Sequence, residues 1–90
     1  MGYRVEYDPK AKRRIRRVDA QDRKRIKAWI DQHLVDCENP RMYGKALVGS
    51  LAGLWRYRVG RYRVLAKIQV DEILILIVDI GHRQGVYKKQ

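Results

Sequence analysis

Cysteine occurs once in this 90-residue chain, at Cys37. A lone cysteine cannot close an internal disulfide, so nothing in its use points to an oxidising compartment. Its best reading is a small residue at a helix end rather than a nucleophile. Histidine occurs only at His33 and His82, far apart in sequence, and the acids do not cluster with ligand spacing. No metal site and no cofactor are therefore expected. Long apolar runs are missing too. The best candidate, 73–80, contains Asp79 and falls far short of the roughly 20 residues that a spanning helix needs. The N-terminus lacks the apolar stretch of a secretory signal. No membrane partner is expected, and the expected location is cytoplasmic. Repeats, linkers and low-complexity segments are absent, so residues 1–90 are read as one small domain.

Acidic residues are scarce as well: 10 Asp+Glu face 21 Lys+Arg, for a formal net charge of +11. So large an excess in so short a chain repels itself, and a polyanionic partner explains it most simply. Nucleic acid is the first candidate, and an acidic protein is compatible with the same charge.

Along the chain, Tyr3-Arg4-Val5-Glu6-Tyr7 alternates as a strand does. Asp8-Pro9 offers an N-cap followed by proline at the first helical position. The short helix after it carries Ala11, Ile15 and Val18 on one side and is otherwise basic. Asp19 is the next N-cap, with Asp22 in a weak capping-box position. Ile26, Trp29, Ile30 and Leu34 then follow helical spacing to about Asp36. Asn39-Pro40 closes the helical region, because the residue before proline avoids the helical basin. Residues 41–53 read as a polar connection, and strands are expected over 54–59, 62–70 and 72–80. Gly60-Arg61 and Val70-Asp71 are short enough to close hairpins. The expected fold is α+β: a helical hairpin packed on a largely antiparallel four-stranded sheet, in the order β-α-α-β-β-β. The apolar last strand belongs inside the sheet rather than at its edge.

The richest segment is Leu54-Trp55-Arg56-Tyr57-Arg58-Val59-Gly60-Arg61-Tyr62-Arg63-Val64, answered by Gly81-His82-Arg83-Gln84-Gly85-Val86-Tyr87. A strand sends alternate side chains to opposite faces, so Arg56 and Arg58 share one face while Trp55, Tyr57 and Val59 share the other. One face can be buried while the other presents guanidinium groups suited to phosphate. An ordinary solvated sheet face has the same pattern, and both readings stay open at this point.

The order of elements, together with Val5-Glu6-Tyr7-Asp8-Pro9-Lys10-Ala11, Asn39-Pro40-Arg41, Lys45-Ala46-Leu47 and the two segments above, resembles the RelE/ParE family of bacterial type II toxins. The resemblance covers nearly the whole chain. It implies one of two activities. The RelE branch cleaves messenger RNA, usually in the ribosomal A site and without metal, whereas the ParE branch poisons DNA gyrase without nuclease activity. In both branches an antitoxin protein neutralises the toxin. A basic RNA-binding domain without chemistry is the remaining alternative. The RelE-like branch is the favoured expectation, with messenger RNA, the ribosome and a cognate antitoxin as partners.

By that resemblance the expected catalytic residues are Arg56, Arg58, Arg63, Arg83 and Tyr87. Arg56, Arg63 and Arg83 would clamp the phosphate, Arg58 would stabilise developing charge, and Tyr87 would orient the base or the 2′-hydroxyl. RelE-type nucleases commonly carry lysines where this chain has Arg56 and Arg58. Guanidinium, with a pKa above ~12, holds charge rather than moving protons. Proton transfer would then fall to Tyr87 and His82, although His82 beside Gly81 is equally a turn residue. Arg13, Arg14 and Arg17 on the first helix, with Lys45 and Arg61, are the further expected RNA contacts.

Overall fold

The computed structural model describes residues 2–82. Arg83 and Tyr87 lie outside the described residues. The chain runs β1 (Arg4–Tyr7), α1 (Pro9–Arg16), α2 (Ala20–His33), β2 (Lys45–Ala46), β3 (Trp55–Val59), β4 (Tyr62–Gln69) and β5 (Leu74–His82). The two helices pack on one mixed sheet of order β1-β5-β4-β3-β2. The expected four strands become five, because Lys45 and Ala46 in the connection pair antiparallel with Arg56 and Trp55. Among the described strands only β1 runs parallel to its neighbour, Arg4–Tyr7 lying beside Leu74–Ile77. The last strand is flanked on both sides, as its apolar composition requires.

Both helix starts follow from their caps. The Asp8 carboxylate accepts from the Lys10 amide at 2.7 Å with Pro9 at the first helical position, and Asp19 accepts from Gln21 at 3.3 Å. Each contact satisfies an amide that the helix cannot. α2 stops at His33, short of the expected Asp36. There Asp36 takes a left-handed φ of 64°, its amide donates to Tyr3, and the Tyr3 amide donates to Cys37. Pairing with the N-terminal segment thus outcompetes another helical turn.

The core gathers Ala11, Ile15, Ile26, Ile30 and Leu34 from the helices. The sheet contributes Tyr57, Val59, Val64, Ala66, Ile75, Ile77 and Ile80. Ile77 and Ile80 share the helix-facing side although they are an odd number of positions, three, apart. A bulge explains this: Ala66 pairs with Ile77, but Leu65 pairs with Asp79 and Val64 with Ile80. The extra residue shifts the strand's phase and spares the core an unpaired acid. Asp79 is instead tied to α1, accepting from Arg14 Nε at 3.1 Å, with Lys10 Nζ at 3.6 Å and the Ile80 amide at 2.9 Å.

Two turns set the sheet's working end. Val59 and Tyr62 pair across Gly60-Arg61, with Gly60 at φ 60°, as a two-residue hairpin turn demands of its first central position. Between β4 and β5 the expected tight hairpin is a 3-10 turn over Val70–Glu72. Among the described residues no helix is long and apolar enough to cross a membrane.

Candidate nucleic-acid interface

Register determines which cations meet. Arg56 and Arg58 lie two apart on β3, and Arg58 is directly opposite Arg63 on β4. Lys45 is opposite Arg56 on β2, and Gly81 is opposite Arg63 on β5. Side chains at paired positions share a face. The face away from the core therefore carries Lys45, Arg56, Arg58 and Arg63, with the bare backbone of Gly81 beside Arg63. Like charges placed directly opposite cost roughly 0.2–1 kcal/mol, a penalty that a bound polyanion reverses. Arg56 Nε is buried and makes no hydrogen bond among the described residues. A desolvated donor of this kind is held in readiness for an acceptor.

Lys67 belongs to the same surface. It is exposed on β4 and continues the alternation of Arg63 and Leu65. Its sequence signal is the two-residue spacing from Arg63 through Leu65. His82 goes elsewhere: its register partner is Tyr62, and the two rings meet edge to face at 5.8 Å. Tyr62 shares the side of Val64 and Ile80, so strand alternation turns His82 away from the arginines. Tyr62 is itself held neutral, its pKa raised by desolvation and by its hydrogen bond to Asp22.

The other expected RNA contacts divide. Lys45 joins the arginine face, and Arg61 is exposed at the tip of the β3–β4 turn. Arg13, Arg14 and Arg17 line a separate basic hollow of about 310 Å³ along α1 with Lys10. Arg14 already binds Asp79 there, so part of its charge serves to fasten α1 to β5. Cys37 is half-buried at the end of the helical region, where burial pushes its thiol pKa up against the pull of backbone hydrogen bonds. A thiol so held is a poor nucleophile.

A second feature lies at the β2–β3 edge. A hollow of about 330 Å³ is lined by Trp29, Tyr43, Gly44, Lys45, Arg56 and Arg58. Its wall is fixed from behind. Tyr57 is fully buried and its hydroxyl donates to the Pro40 carbonyl at 2.8 Å. The Trp55 indole nitrogen donates to the Tyr43 carbonyl, and the Arg41 guanidinium sits 5.7 Å above the Trp55 ring. Gly44 takes a φ of 77° where a Cβ would collide with the Arg56 carbonyl and the Trp55 indole. Only glycine lets the connection approach β3 so closely. Trp29, expected as core, is half-buried at the core's margin and faces this hollow.

A two-helix layer on a five-stranded sheet, carrying a row of arginines on its open face, describes a compact toxin fold, and comparison with known proteins agrees. The family model described as the ParE toxin of type II toxin–antitoxin systems matches residues 5–87. This chain belongs to the RelE/ParE family and is a type II toxin of a toxin–antitoxin system. None of the curated proteins matches it. Among solved structures it is similar to a chain of the RelBE2 toxin–antitoxin complex from Mycobacterium tuberculosis, with 25% identity and a TM-score of 0.83 over 92% of this chain and 93% of that one. The isolated RelE toxin of Escherichia coli shares the fold at 20% identity, with a TM-score of 0.72 over 98% of this chain and 94% of that one. A chain of the archaeal RelE–RelB complex from Pyrococcus horikoshii does so at 24% identity, with a TM-score of 0.68 over 92% and 97%.

Proposed function

We propose that this toxin is an endoribonuclease that cuts messenger RNA on the ribosome, in the cytoplasm, and that a cognate antitoxin holds it in check. The observation that carries the proposal is the convergence of Arg56, Arg58 and Arg63 on the sheet face away from the core, with Gly81 opposite Arg63. In the reaction the ribose 2′-oxygen attacks the adjacent phosphorus, an O2′–P bond forms, and the P–O5′ bond breaks. Negative charge builds on the phosphorane oxygens, where fixed guanidinium groups act most strongly. Arg56 and Arg63 hold the phosphate, Arg58 answers the developing charge, and Arg83 completes the clamp. Tyr87 orients the 2′-hydroxyl and the base beside it; the 2′-hydroxyl proton passes to water, and water returns a proton to the departing 5′-oxygen. His82, turned toward Tyr62, is given no part in the proton transfer. The toxin–antitoxin complexes among the structural relatives support the antitoxin partner.

The test is substitution. Arg83→Ala and Tyr87→Phe should each relieve growth arrest while the protein folds and binds its antitoxin. Full toxicity in both variants would remove these site assignments. The family description favours a second reading, inhibition of DNA gyrase without catalysis. Induced cells separate the two: cleaved transcripts with intact DNA support the nuclease, whereas DNA damage and altered supercoiling with intact transcripts support the gyrase poison.

A further inference from the structure

The hollow at the β2–β3 edge combines two chemistries. Trp29 and Tyr43 supply an aromatic wall, their rings 6.0 Å apart and nearly perpendicular at 76°. His33 stacks on Trp29 at 4.5 Å, its Nδ1 lying 2.9 Å from the Trp29 carbonyl, so the indole is braced from its own helix. Lys45, Arg56 and Arg58 supply cations, and among the described residues no acidic side chain lines the space. The volume of about 330 Å³ is at the small end of ligand clefts, which run from roughly 300 to 1,000 Å³. An acidic peptide side chain would satisfy the cations and leave the aromatic wall unused. A nucleotide uses both, with its base against the rings and its phosphate on the cations.

We infer that this hollow receives one base of the RNA strand, next to the phosphate held by Arg56 and Arg63, with that nucleotide's own phosphate on Lys45. The inference rests on the reading of the protein as an RNA-cleaving toxin and adds a substrate-positioning subsite to it. Gly44 is the structural condition for it, since the glycine brings Tyr43 and Lys45 up to β3 on one short turn. The phosphate beside the subsite also offers an acceptor to the buried Arg56 Nε, which has no partner among the described residues.

The probe is a short single-stranded RNA, 2′-O-methylated throughout so that it cannot be cut, titrated against the purified full chain. Tyr43→Ala should weaken binding about 5- to 160-fold, the range for losing one base–aromatic stack. It should leave the salt dependence unchanged, because no charge is removed. Arg58→Ala should instead lower the salt slope by about 0.7, the value of one phosphate contact on a single strand. In the unsubstituted protein, the same RNA carrying 5-iodouridine should photocrosslink to Trp29 or Tyr43, a readout independent of how the variants fold. Unchanged binding by Tyr43→Ala, with crosslinks confined to other residues, would overturn the subsite while Arg58→Ala still upholds RNA binding. Loss of antitoxin binding in Tyr43→Ala with RNA binding intact would overturn it in favour of a peptide occupant. Failure of the parent protein to bind the RNA at all, at low salt, would overturn the subsite, while in-frame transcript cuts in induced cells would still uphold the nuclease reading.

Discussion

Replacing Tyr57 by phenylalanine removes a single oxygen atom, yet it strikes the joint between the core and the wall of the hollow. The Tyr57 ring is fully buried, and its hydroxyl donates to the Pro40 carbonyl at 2.8 Å. Without the hydroxyl that carbonyl stays buried with a lost donor, a defect of about 1–3 kcal/mol. In a domain of this size each kcal/mol lowers the melting temperature by roughly 4–8 °C, so a fall of about 4–24 °C is expected. The pH profile supplies a second signature. Burial, helped by the nearby Cys37 and opposed by Arg41, raises the Tyr57 pKa above its ordinary 10.0. Below pH 10 both folded and unfolded tyrosine are neutral, and this group's contribution to stability is fully present. Above it the unfolded chain releases a proton that the folded chain retains, so stability falls as pH climbs toward the folded value. In Tyr57→Phe that component is gone, and the alkaline decline should be shallower, leaving the smaller part due to Tyr7 and Tyr62, whose pKa values are also raised. Urea unfolding followed by tryptophan fluorescence from pH 7 to 11 measures both effects. A variant with the parent's stability and the parent's alkaline slope would refute the reasoning.

The remaining expectations concern the arginine face, the α1–β5 tie and the glycine turn. Arg58→Gln removes the repulsion with Arg63 across the strands, so thermal unfolding should show a gain of roughly 0.2–1 kcal/mol. The same change should slow RNA cleavage by roughly 10²–10³-fold, a stabilised protein with a weakened site. Asp79→Ala releases Arg14 and Lys10, whose side chains are 44% and 57% exposed and can rehydrate. The loss should therefore be only about 1–2 kcal/mol, and it should shrink in high salt. Gly44→Ala forces a left-handed backbone on a residue with a Cβ, costing about 1–3 kcal/mol, and pushes Tyr43 and Lys45 off β3. Its RNA binding should fall even in the folded fraction, as a filter-binding titration corrected for folded protein would show.

Much of this was legible in the sequence because it depends on near neighbours. Asp8-Pro9 and Asp19 cap helices from within their own first turns, Gly60 closes a hairpin in two residues, and the alternation over 55–59 assigns its faces without outside help. What escaped was set by distant partners. The two-residue strand at Lys45–Ala46 exists because Gly44 lets the connection reach β3, and nothing in its polar composition announces pairing. The end of α2 is decided by Tyr3, more than thirty residues earlier. The bulge beside Asp79 shifts the phase of β5, and so turns His82 from the arginine face to the side of Tyr62. A period-two reading of an all-apolar strand has no means of seeing such a shift. The hollow was hidden for the same reason: Trp29 fits a helix's apolar spacing, and only the folded connection sets Tyr43 and Lys45 beside it.

The most direct test of the central claim is primer extension on a reporter transcript after brief induction of the toxin in growing cells. Cuts recurring in frame with translation, lost in a transcript without a start codon and lost in Arg58→Gln, are the result expected of an mRNA-cleaving toxin built on the arginine face. Uncut transcripts from cells that are fully growth-arrested would contradict it.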